Sequence, residues 1–242
     1  MNNIGSSTTT IAGLTNGVLA NLQGRTDLTE TNPNPSMRPS FFIKRTIEEI
    51  TGKFQFEELR IVGPTVPLTV GQYSYPVATF INSGDDVTFY EDPVIFIDFP
   101  ANQVAYPMDY MTPKAIAPLL NVRGGIPFKY TRYGANFWFG TNPGQPYPVY
   151  LPYQRKHPFN DQSLPDSQVF LPQDWKDVVE FDAARRAAIS LRWNDQASYL
   201  QKLLYGDPMK PGDIGILTAK MLDIERSQGK SSRSLTPIVG RY

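Results

Sequence analysis

Cysteine is absent from this chain of 242 residues, and histidine occurs only once, at His157. Without cysteine the chain has no disulfide framework, no thiolate metal site and no cysteine nucleophile. Structural zinc sites, which use cysteine or several histidines, are excluded by the same composition. A serine–histidine–aspartate site would have to use His157, but the chain has no nucleophile-elbow motif. We interpret His157, which lies in the basic segment Arg155–Phe159, as a solvated loop residue.

Neither sign of charge is in excess, because 23 lysines and arginines balance 23 aspartates and glutamates. General nucleic-acid binding usually requires a basic excess, so the composition argues against it. No apolar run approaches the roughly 20 residues that span a bilayer. The polar start, Met1–Thr10, lacks the basic region and apolar core of a signal peptide. The sequence therefore predicts a soluble protein that is intracellular where it is made and has no membrane partner.

Motifs for binding phosphates and cations are also missing. The chain contains neither a Walker loop nor a dinucleotide fingerprint. Acidic pairs occur at Asp85–Asp86 and Glu91–Asp92, but they lack the ligand order of a calcium loop, so we interpret them as a charged turn. Paired glycosidase carboxylates stay open as an alternative, since two acids need only meet in space. The sequence favours a protein that is not an enzyme and binds no cofactor and no metal.

Proline, in contrast, is abundant, with 22 residues that concentrate in the middle of the chain. Between Phe54 and Phe159, short runs of β-branched and aromatic residues alternate with turn-forming residues. The apolar run Val94–Phe99 has the length of a buried strand, and Tyr133–Gly134 and Asn142–Gly144 are turn signals. This pattern predicts an antiparallel meander that packs as a sandwich.

Helical periodicity precedes this β-rich stretch. A first helix is predicted over Ile11–Gln23. A second is predicted from Ser36 or Arg38, with Pro39 in its first turn and Gly52 as the residue after its end.

Helical periodicity also follows the β-rich stretch, beyond a junction at Leu171–Trp175. The segment Trp175–Ile189 predicts an amphipathic helix with a patch of small alanines that lets a neighbouring helix approach closely. Asp195 is a candidate cap for a further helix, and a last helix is predicted to end at Ser227.

These elements predict an α+β fold. A helical bundle is built from N-terminal and C-terminal helices, an antiparallel β-sandwich-like module is inserted between them, and a flexible C-terminal arm follows. The predicted segments are an N-terminal arm with the first bundle helices at 1–53, the β-rich module at 54–160, the C-terminal bundle helices at 161–227 and the extended arm at 228–242.

The many aromatic residues of the β-rich module allow two interpretations. They could form a platform on which sugars or bases stack. Aromatic residues on strands are more often half-buried in a sheet or anchor a protein interface, so we favour core plus interface. The residues concerned are Tyr130, Tyr133, Phe137, Trp138, Phe139, Tyr147, Tyr150 and Tyr153.

The end of the chain is basic, because Lys230, Arg233 and Arg241 occur there with no acidic residue after Glu225. A β-prone piece, Leu235–Val239, lies between them. Such a segment is either a disordered end or an arm that adds a strand to a partner's sheet or fills its groove.

The order of these segments resembles a known family. The stretch from Gly125–Tyr130 through Phe137–Phe139 to Pro148–Tyr153 is followed by a linker, then Phe170–Trp175 and the alanine-rich helix. This order is similar to that of the head-to-tail adaptors of tailed bacteriophages, in particular the tail tubular or gatekeeper-type adaptors of short-tailed phages. The resemblance extends from about Pro39 to Leu204.

The resemblance implies a virion structural protein at the head–tail interface. Such connectors are not enzymes and form a homo-oligomeric ring, usually of twelve subunits, beneath the portal protein. The helical part faces the portal, the β-part faces the nozzle or tail tube protein, and genomic DNA passes through during ejection. A near-neutral chain suits a DNA channel, because a strongly basic lumen would hold the genome. The alternative function is a carbohydrate-binding or receptor-binding β-module of a phage tail.

Three sets of residues follow from these expectations. A closed ring needs two complementary faces on each subunit. The expected contacts between subunit helices are Trp175, Ala183, Ala184, Ala187 and Ala188. The expected tail-facing residues are Tyr130, Tyr133, Phe137 and Trp138. The expected portal-binding arm consists of Lys230, Arg233, Leu235, Ile238, Val239, Arg241 and Tyr242.

Overall fold

The fold is mixed α and β, as the sequence predicts. The computed structural model describes residues 9–25, 27–88, 93–99, 104–210 and 212–228. These residues divide into two compact units. The helical unit comprises the described residues of Met1–Glu58 and His157–Tyr242, and the β unit comprises those of Leu59–Lys156. A β unit inserted between two parts of a helical unit confirms the predicted fold class.

The helices, in chain order, are α1 (Ile11–Asn21), α2 (Pro39–Lys53), α3 (Pro113–Ile116), α4 (Lys176–Ser190), α5 (Asn194–Tyr205) and α6 (Ile216–Gln228). All but α3 belong to the helical unit. The side chain of Thr10 caps α1, since its Oγ1 accepts a hydrogen bond from the N–H of Gly13 at 3.2 Å. Pro39 opens α2, where the missing N–H of proline leaves no helical hydrogen bond unmade.

The helical core forms where apolar stripes meet. Ile11, Leu14 and Val18 form the buried stripe of α1. The buried stripe of α2 is Phe42, Ile43, Ile47 and Ile50, and this helix continues through Gly52 instead of ending before it. Contacts join α4 to α1, α2 and α5, and α6 packs against α5.

A positive backbone angle separates α4 from α5. Arg192 has φ +57°, a left-handed conformation that stops a right-handed helix. The helix predicted at Trp175–Ile189 begins at Lys176, because Trp175 ends a short 3₁₀ turn that starts at Gln173. The chain then resumes as α5 with Trp193 at the N-cap.

The β unit contains short strands. They are β1 (Arg60–Val62), β2 (Val66–Leu68), β3 (Ser74–Pro76), β4 (Val87–Thr88), β5 (Phe96–Phe99), β6 (Val104–Pro107), β7 (Asp109–Tyr110), β8 (Arg123–Gly125), β9 (Lys129–Tyr133), β10 (Asn136–Gly140), β11 (Asn142–Pro143), β12 (Tyr147–Tyr150) and β13 (Pro152–Arg155).

These strands form four sheets, with orders β3-β10-β9-β7, β2-β12-β5-β6, β1-β13-β4 and β8-β11. Most pairs are antiparallel, but β7 with β9 and β8 with β11 are parallel. β9 and β10 form a tight hairpin in which Gly134 takes φ +60°, as its turn requires. The predicted simple meander is wrong in its strand order, since the first and last strands, β1 and β13, pair with each other.

The core of the β unit is largely aromatic. Phe80 lies among Tyr75, Phe137 and Phe139, with ring centres 5.6 to 6.4 Å apart. Such tilted and edge-to-face contacts are favoured by the ring quadrupoles. The buried residues of this cluster are Leu68, Tyr75, Val77, Phe80, Ile95, Ile97, Met108, Tyr130, Phe137, Phe139, Tyr147, Val149, Leu151 and Tyr153.

Candidate functional site

The sheet β3-β10-β9-β7 divides its aromatic side chains between two faces. Successive side chains of a strand point to opposite faces, so Phe137 and Phe139 of β10 enter the core while Trp138 lies on the other face. Ser74 of β3 and Thr131 of β9 are the register partners of Trp138. On the outer face of this sheet, the tryptophan therefore lies between two small polar residues, one on each neighbouring strand.

Three aromatic rings meet on this outer face, and we call Tyr73, Tyr133 and Trp138 the aromatic surface. The ring centres of Tyr133 and Trp138 are 4.5 Å apart, with an angle of 34° between the planes. Tyr73 meets Trp138 edge-on, at 6.1 Å and 85°. Tyr133 is 55% exposed and Tyr73 is 39% exposed. Backbone pairing helps to hold Tyr73, whose carbonyl accepts a hydrogen bond from the N–H of Phe139 at 2.8 Å.

The four residues expected to face the tail separate into two pairs. Tyr133 and Trp138 belong to the aromatic surface. Tyr130 and Phe137 are buried in the core, where their rings contact each other and the Tyr130 hydroxyl donates to the carbonyl of Pro93. Because strand alternation turns these two side chains inward, they offer no surface to a partner.

The residues expected to join subunit helices are buried within this chain's own helical unit. Trp175 packs against Phe54 and Phe56, with ring centres 5.3 and 5.1 Å away. Because Trp175 and the alanines are buried, they offer no side-chain surface to a second copy, and the small alanines instead admit α1, α2 and α5. The fully buried alanines are Ala183, Ala184, Ala187 and Ala188.

The expected portal-binding arm lies outside the described residues, which end at Gln228. This holds for Lys230, Arg233, Leu235, Ile238, Val239, Arg241 and Tyr242.

His157 is buried, which corrects its interpretation as a solvated loop residue. Its Nε2 accepts a hydrogen bond from the backbone N–H of Phe170 at 2.9 Å. Its ring lies 4.4 Å from that of Phe159 and 5.6 Å from that of Phe170. Because Nε2 acts as the acceptor, the imidazole joins two backbone segments of the helical unit and has a structural role there.

A charged network that the sequence did not reveal joins α2 to α4. Asp182 is buried and accepts hydrogen bonds from Thr46 at 3.0 Å, Arg185 at 2.6 Å and Arg186 at 2.7 Å. Arg186 also pairs with Glu49 of α2. The sequence signal was an aspartate on the buried face of α4 with arginines three and four residues later, the spacing at which side chains on one helix face meet.

Glu49 shows how this network affects protonation. Burial by itself would raise the pKa of Glu49, but hydrogen bonds from Lys53 and Arg186 outweigh that effect and lower its pKa. The Lys53 Nζ lies 2.5 Å from Glu49 Oε1. The carboxylate is therefore held ionised as a link between the two helices.

Glu180 of α4 lies against the backbone of α1. A methyl group added to Gly17 would come within 2.1 Å of the Glu180 carboxyl carbon, so the glycine makes room for this side chain. Burial raises the pKa of Glu180, and Lys176, with its Nζ 3.7 Å away, partly opposes the shift. Ionisation of Glu180 therefore costs free energy of folding.

The acidic turn of the β unit makes ordinary internal contacts where the structure describes it. Asp85 accepts a hydrogen bond from the Tyr153 hydroxyl at 2.6 Å, and Asp86 pairs with Lys156 at 2.6 Å. The second acidic pair, Glu91–Asp92, lies outside the described residues. Among the residues described, no three histidine or acidic side chains come together as metal ligands.

A cavity of about 470 Å³ lies at the end of α5 in the helical unit. Its charged groups are already paired, since Lys202 contacts Asp207 at 3.1 Å and Asp213 accepts the N–H of Asp207 at 3.0 Å. These contacts stabilise the connection to α6.

None of the helices in the described ranges has the length and hydrophobicity needed to cross a membrane. No protein-family model matches the chain, and no curated protein matches it in sequence.

Proposed function

We propose that this protein is a structural head-to-tail adaptor of a short-tailed bacteriophage. It assembles as a ring beneath the portal, joins the portal to the tail or nozzle and lines the channel through which DNA leaves. The proposal assigns it no catalytic role and places it in the virion at the head–tail interface.

One observation carries the proposal. The N-terminal helices α1 and α2 pack with α4, which follows the β unit in sequence, so that both ends of the chain build one helical unit. This is the order of segments on which the resemblance to adaptors rests. A helical unit with a β unit inserted in its sequence offers two different surfaces for a head-side and a tail-side partner.

The ring contact needs side chains that are exposed, unlike the buried alanines of α4. Candidates lie at the end of α5 and in the loop that follows it. Tyr205 is 44% exposed, Met209 86% and Ile214 52%. Exposed apolar side chains that cluster in one region mark protein interaction sites more often than isolated ones do. We therefore assign one lateral face of the ring to this region.

The test is assembly with the cognate portal ring. The full chain, alone and mixed with portal, is followed by light scattering during size-exclusion chromatography and by electron microscopy. The expected result is a closed ring that docks coaxially on the portal, and Met209→Asp prevents closure while Lys210→Asp, a neighbouring exposed polar position, does not. A chain that stays monomeric at high concentration and binds no portal contradicts the proposal.

The C-terminal arm is tested separately by a chain that lacks residues 229–242, which follow the last residue of α6. The shortened chain is expected to melt at the same temperature as the full chain and to bind portal more weakly. Equal portal binding by the two chains would remove the arm from the proposal while leaving the ring to be judged by its own test.

A further inference from the structure

We propose that the aromatic surface formed by Tyr73, Tyr133 and Trp138 is a binding site for neutral carbohydrate. This inference does not depend on ring assembly, because it rests on the chemistry of one sheet face of a single chain.

The register of the strands defines the composition of this face. One row across the sheet contains Pro76, Asn136 and Tyr133, and the next contains Ser74, Trp138 and Thr131. Thr131 is fully buried, which leaves the rings, Pro76, Ser74 and Asn136 as the accessible part. The face therefore combines aromatic rings with small neutral polar side chains.

The polar groups on this face are available to a ligand. Within the described part of the chain, no hydrogen bond engages the hydroxyls of Tyr73, Tyr133 and Ser74, the carboxamide of Asn136 or the indole N–H of Trp138. Hydroxyl and carboxamide groups both donate and accept, as do the hydroxyls of a sugar. The three ring-bearing residues can thus bind by contact and by hydrogen bonding at once.

Charge selects among the ligands that stack on aromatic rings. Neither of the two rows contains a charged residue, and the next row on the same face pairs Lys129 with Asp109, whose opposite charges leave that row without a net charge. Arg132 is opposite Phe137 in the register, so its Cβ leaves from the other face of the sheet. Nucleic acids and charged peptides require compensating charges at their binding site. A neutral sugar requires none.

The ring geometry leaves room for stacking. One face of Tyr133 lies on Trp138, and the high exposure of Tyr133 comes from the remainder of the ring. The weakly polarised C–H groups of a pyranose ring pack against the negative face of an aromatic ring, while its hydroxyls reach neighbouring polar groups. Tyr133 stacks on the sugar in this arrangement, and Asn136, its register partner, supplies the adjacent amide.

The experiment is affinity electrophoresis of the full chain in gels that contain a dissolved polysaccharide. The probes are three neutral polymers, dextran, galactomannan and barley β-glucan, and one acidic polymer, alginate. We expect at least one neutral polymer to retard the protein. Tyr133→Ala is expected to weaken that association about fivefold to tenfold through loss of a stacked ring, and Tyr133→Phe is expected to retain most of it.

A matched control distinguishes binding at this site from nonspecific association with the polysaccharide. Tyr106→Ala removes a tyrosine that is 49% exposed on a different sheet, and it is expected to leave the retardation unchanged. Melting temperatures of all variants establish that they fold. Retardation by none of the neutral polymers, retardation by alginate alone, or equal retardation of Tyr133→Ala and the unchanged protein would each overturn the proposal.

Discussion

The two units of this protein are stabilised in different ways. Of eleven ion pairs in which both partners are described, ten lie in the helical unit and one, Lys156 with Asp86, lies in the β unit. The helical unit buries carboxylates, Asp182 and Glu180, within its core. The β unit instead buries a cluster of interlocking aromatic rings around Phe80.

The two units should therefore respond differently to substitutions and to pH. Aromatic packing is sensitive to lost volume and insensitive to acid, because phenylalanine rings carry no titratable group and tyrosine hydroxyls titrate only at alkaline pH. Buried carboxylates are sensitive to pH and to loss of a charge partner. Substitutions in each unit test whether the two units differ in this way.

Removing an aromatic ring from the core of the β unit should cause the largest loss in the free energy of unfolding. Phe137 is fully buried and packs against Phe80 at 5.6 Å and Tyr130 at 6.1 Å. Phe137→Ala is expected to lower the free energy of unfolding by about 3–5 kcal/mol, from lost burial and the cavity left behind. Urea denaturation followed by tyrosine and tryptophan fluorescence measures it. Phe128→Ala, at a ring that is 41% exposed, is the control and should cost much less. Similar losses for the two variants would refute a tightly packed aromatic core.

Removing the central carboxylate of the helical unit should have the next largest effect. Asp182→Ala leaves Arg185, Arg186 and Thr46 without their shared acceptor. The expected loss in unfolding free energy is about 2–3 kcal/mol, less than for a fully enclosed pair because both arginines are partly exposed. Asp182→Asn keeps an acceptor and should lose less.

The control for this change is Asp195→Ala, an exposed acid in the first turn of α5, with an expected loss of about 0.5 kcal/mol. Guanidinium would screen the ion pairs, so urea is the denaturant of choice. If Asp182→Ala cost no more than Asp195→Ala, the network would not distinguish the helical unit from the β unit.

Much of the helical unit could be predicted from sequence because its signals are local. The stripe of α2 and the positions of α1 and α4 follow from apolar spacing, and Pro39 marks the first turn. The partner of the alanine patch could not be predicted. Small residues show that something approaches closely, but α1, α2 and α5 meet α4 through contacts that are distant in sequence.

Gly17 is a second position whose packing role could not be predicted from the sequence. In the sequence a glycine within α1 only weakens the helix. In the structure it admits the carboxyl group of Glu180, a residue on the far side of the β unit in sequence. Gly52, by contrast, was predicted to follow the end of α2 but lies inside it. The prediction was wrong because glycine is also tolerated within a helix.

The aromatic surface was only half predictable. The strand pattern around β10 identified Tyr133 and Trp138 together with Tyr130 and Phe137, but it could not say which alternate set faces outward. That choice depends on what covers each face. Tyr73 was missed because it lies just before β3, and only the pairing of β3 with β10 brings it to Trp138.

The β unit should lose stability at alkaline pH through the hydroxyl of Tyr153. The Tyr153 hydroxyl accepts the N–H of Asn82 at 3.0 Å and donates to Asp85 at 2.6 Å. Burial and the contact with Asp85 raise the pKa of Tyr153. Its contribution is therefore complete below the ordinary tyrosine pKa of 10.0 and is lost as the pH rises through the higher folded value.

Tyr153→Phe is expected to lower the unfolding free energy by about 1 kcal/mol near neutral pH. The deficit should shrink at pH values above the folded-state pKa, where the unchanged protein loses the same interaction. Tyr150→Phe is the control, since the Tyr150 ring stacks on Phe96 and its hydroxyl has no hydrogen-bond partner in the described ranges. A constant deficit across the pH range would contradict the role given to Tyr153.

The smallest change in the free energy of unfolding should come from substitution of Glu180. This substitution should stabilise the protein, whereas the others destabilise it. Because burial raises its folded-state pKa, the neutral form is favoured in the folded protein. Below the ordinary glutamate pKa of 4.5 the side chain is protonated in both states and costs nothing. As the pH rises through the folded value, ionisation reduces stability.

Glu180→Gln should therefore stabilise the protein at pH 7, by less than about 1 kcal/mol because Lys176 and residual solvent contact compensate part of the cost. The gain should vanish by pH 4, and urea unfolding at the two pH values measures it. Asp177→Asn, an exposed acid in the first turn of α4, should instead give a slight loss at pH 7. A destabilised Glu180→Gln at pH 7 would mean that the contact with Lys176 outweighs burial. The buried charges of the helical unit would then all be stabilising, and the contrast with the β unit would rest on the aromatic core alone.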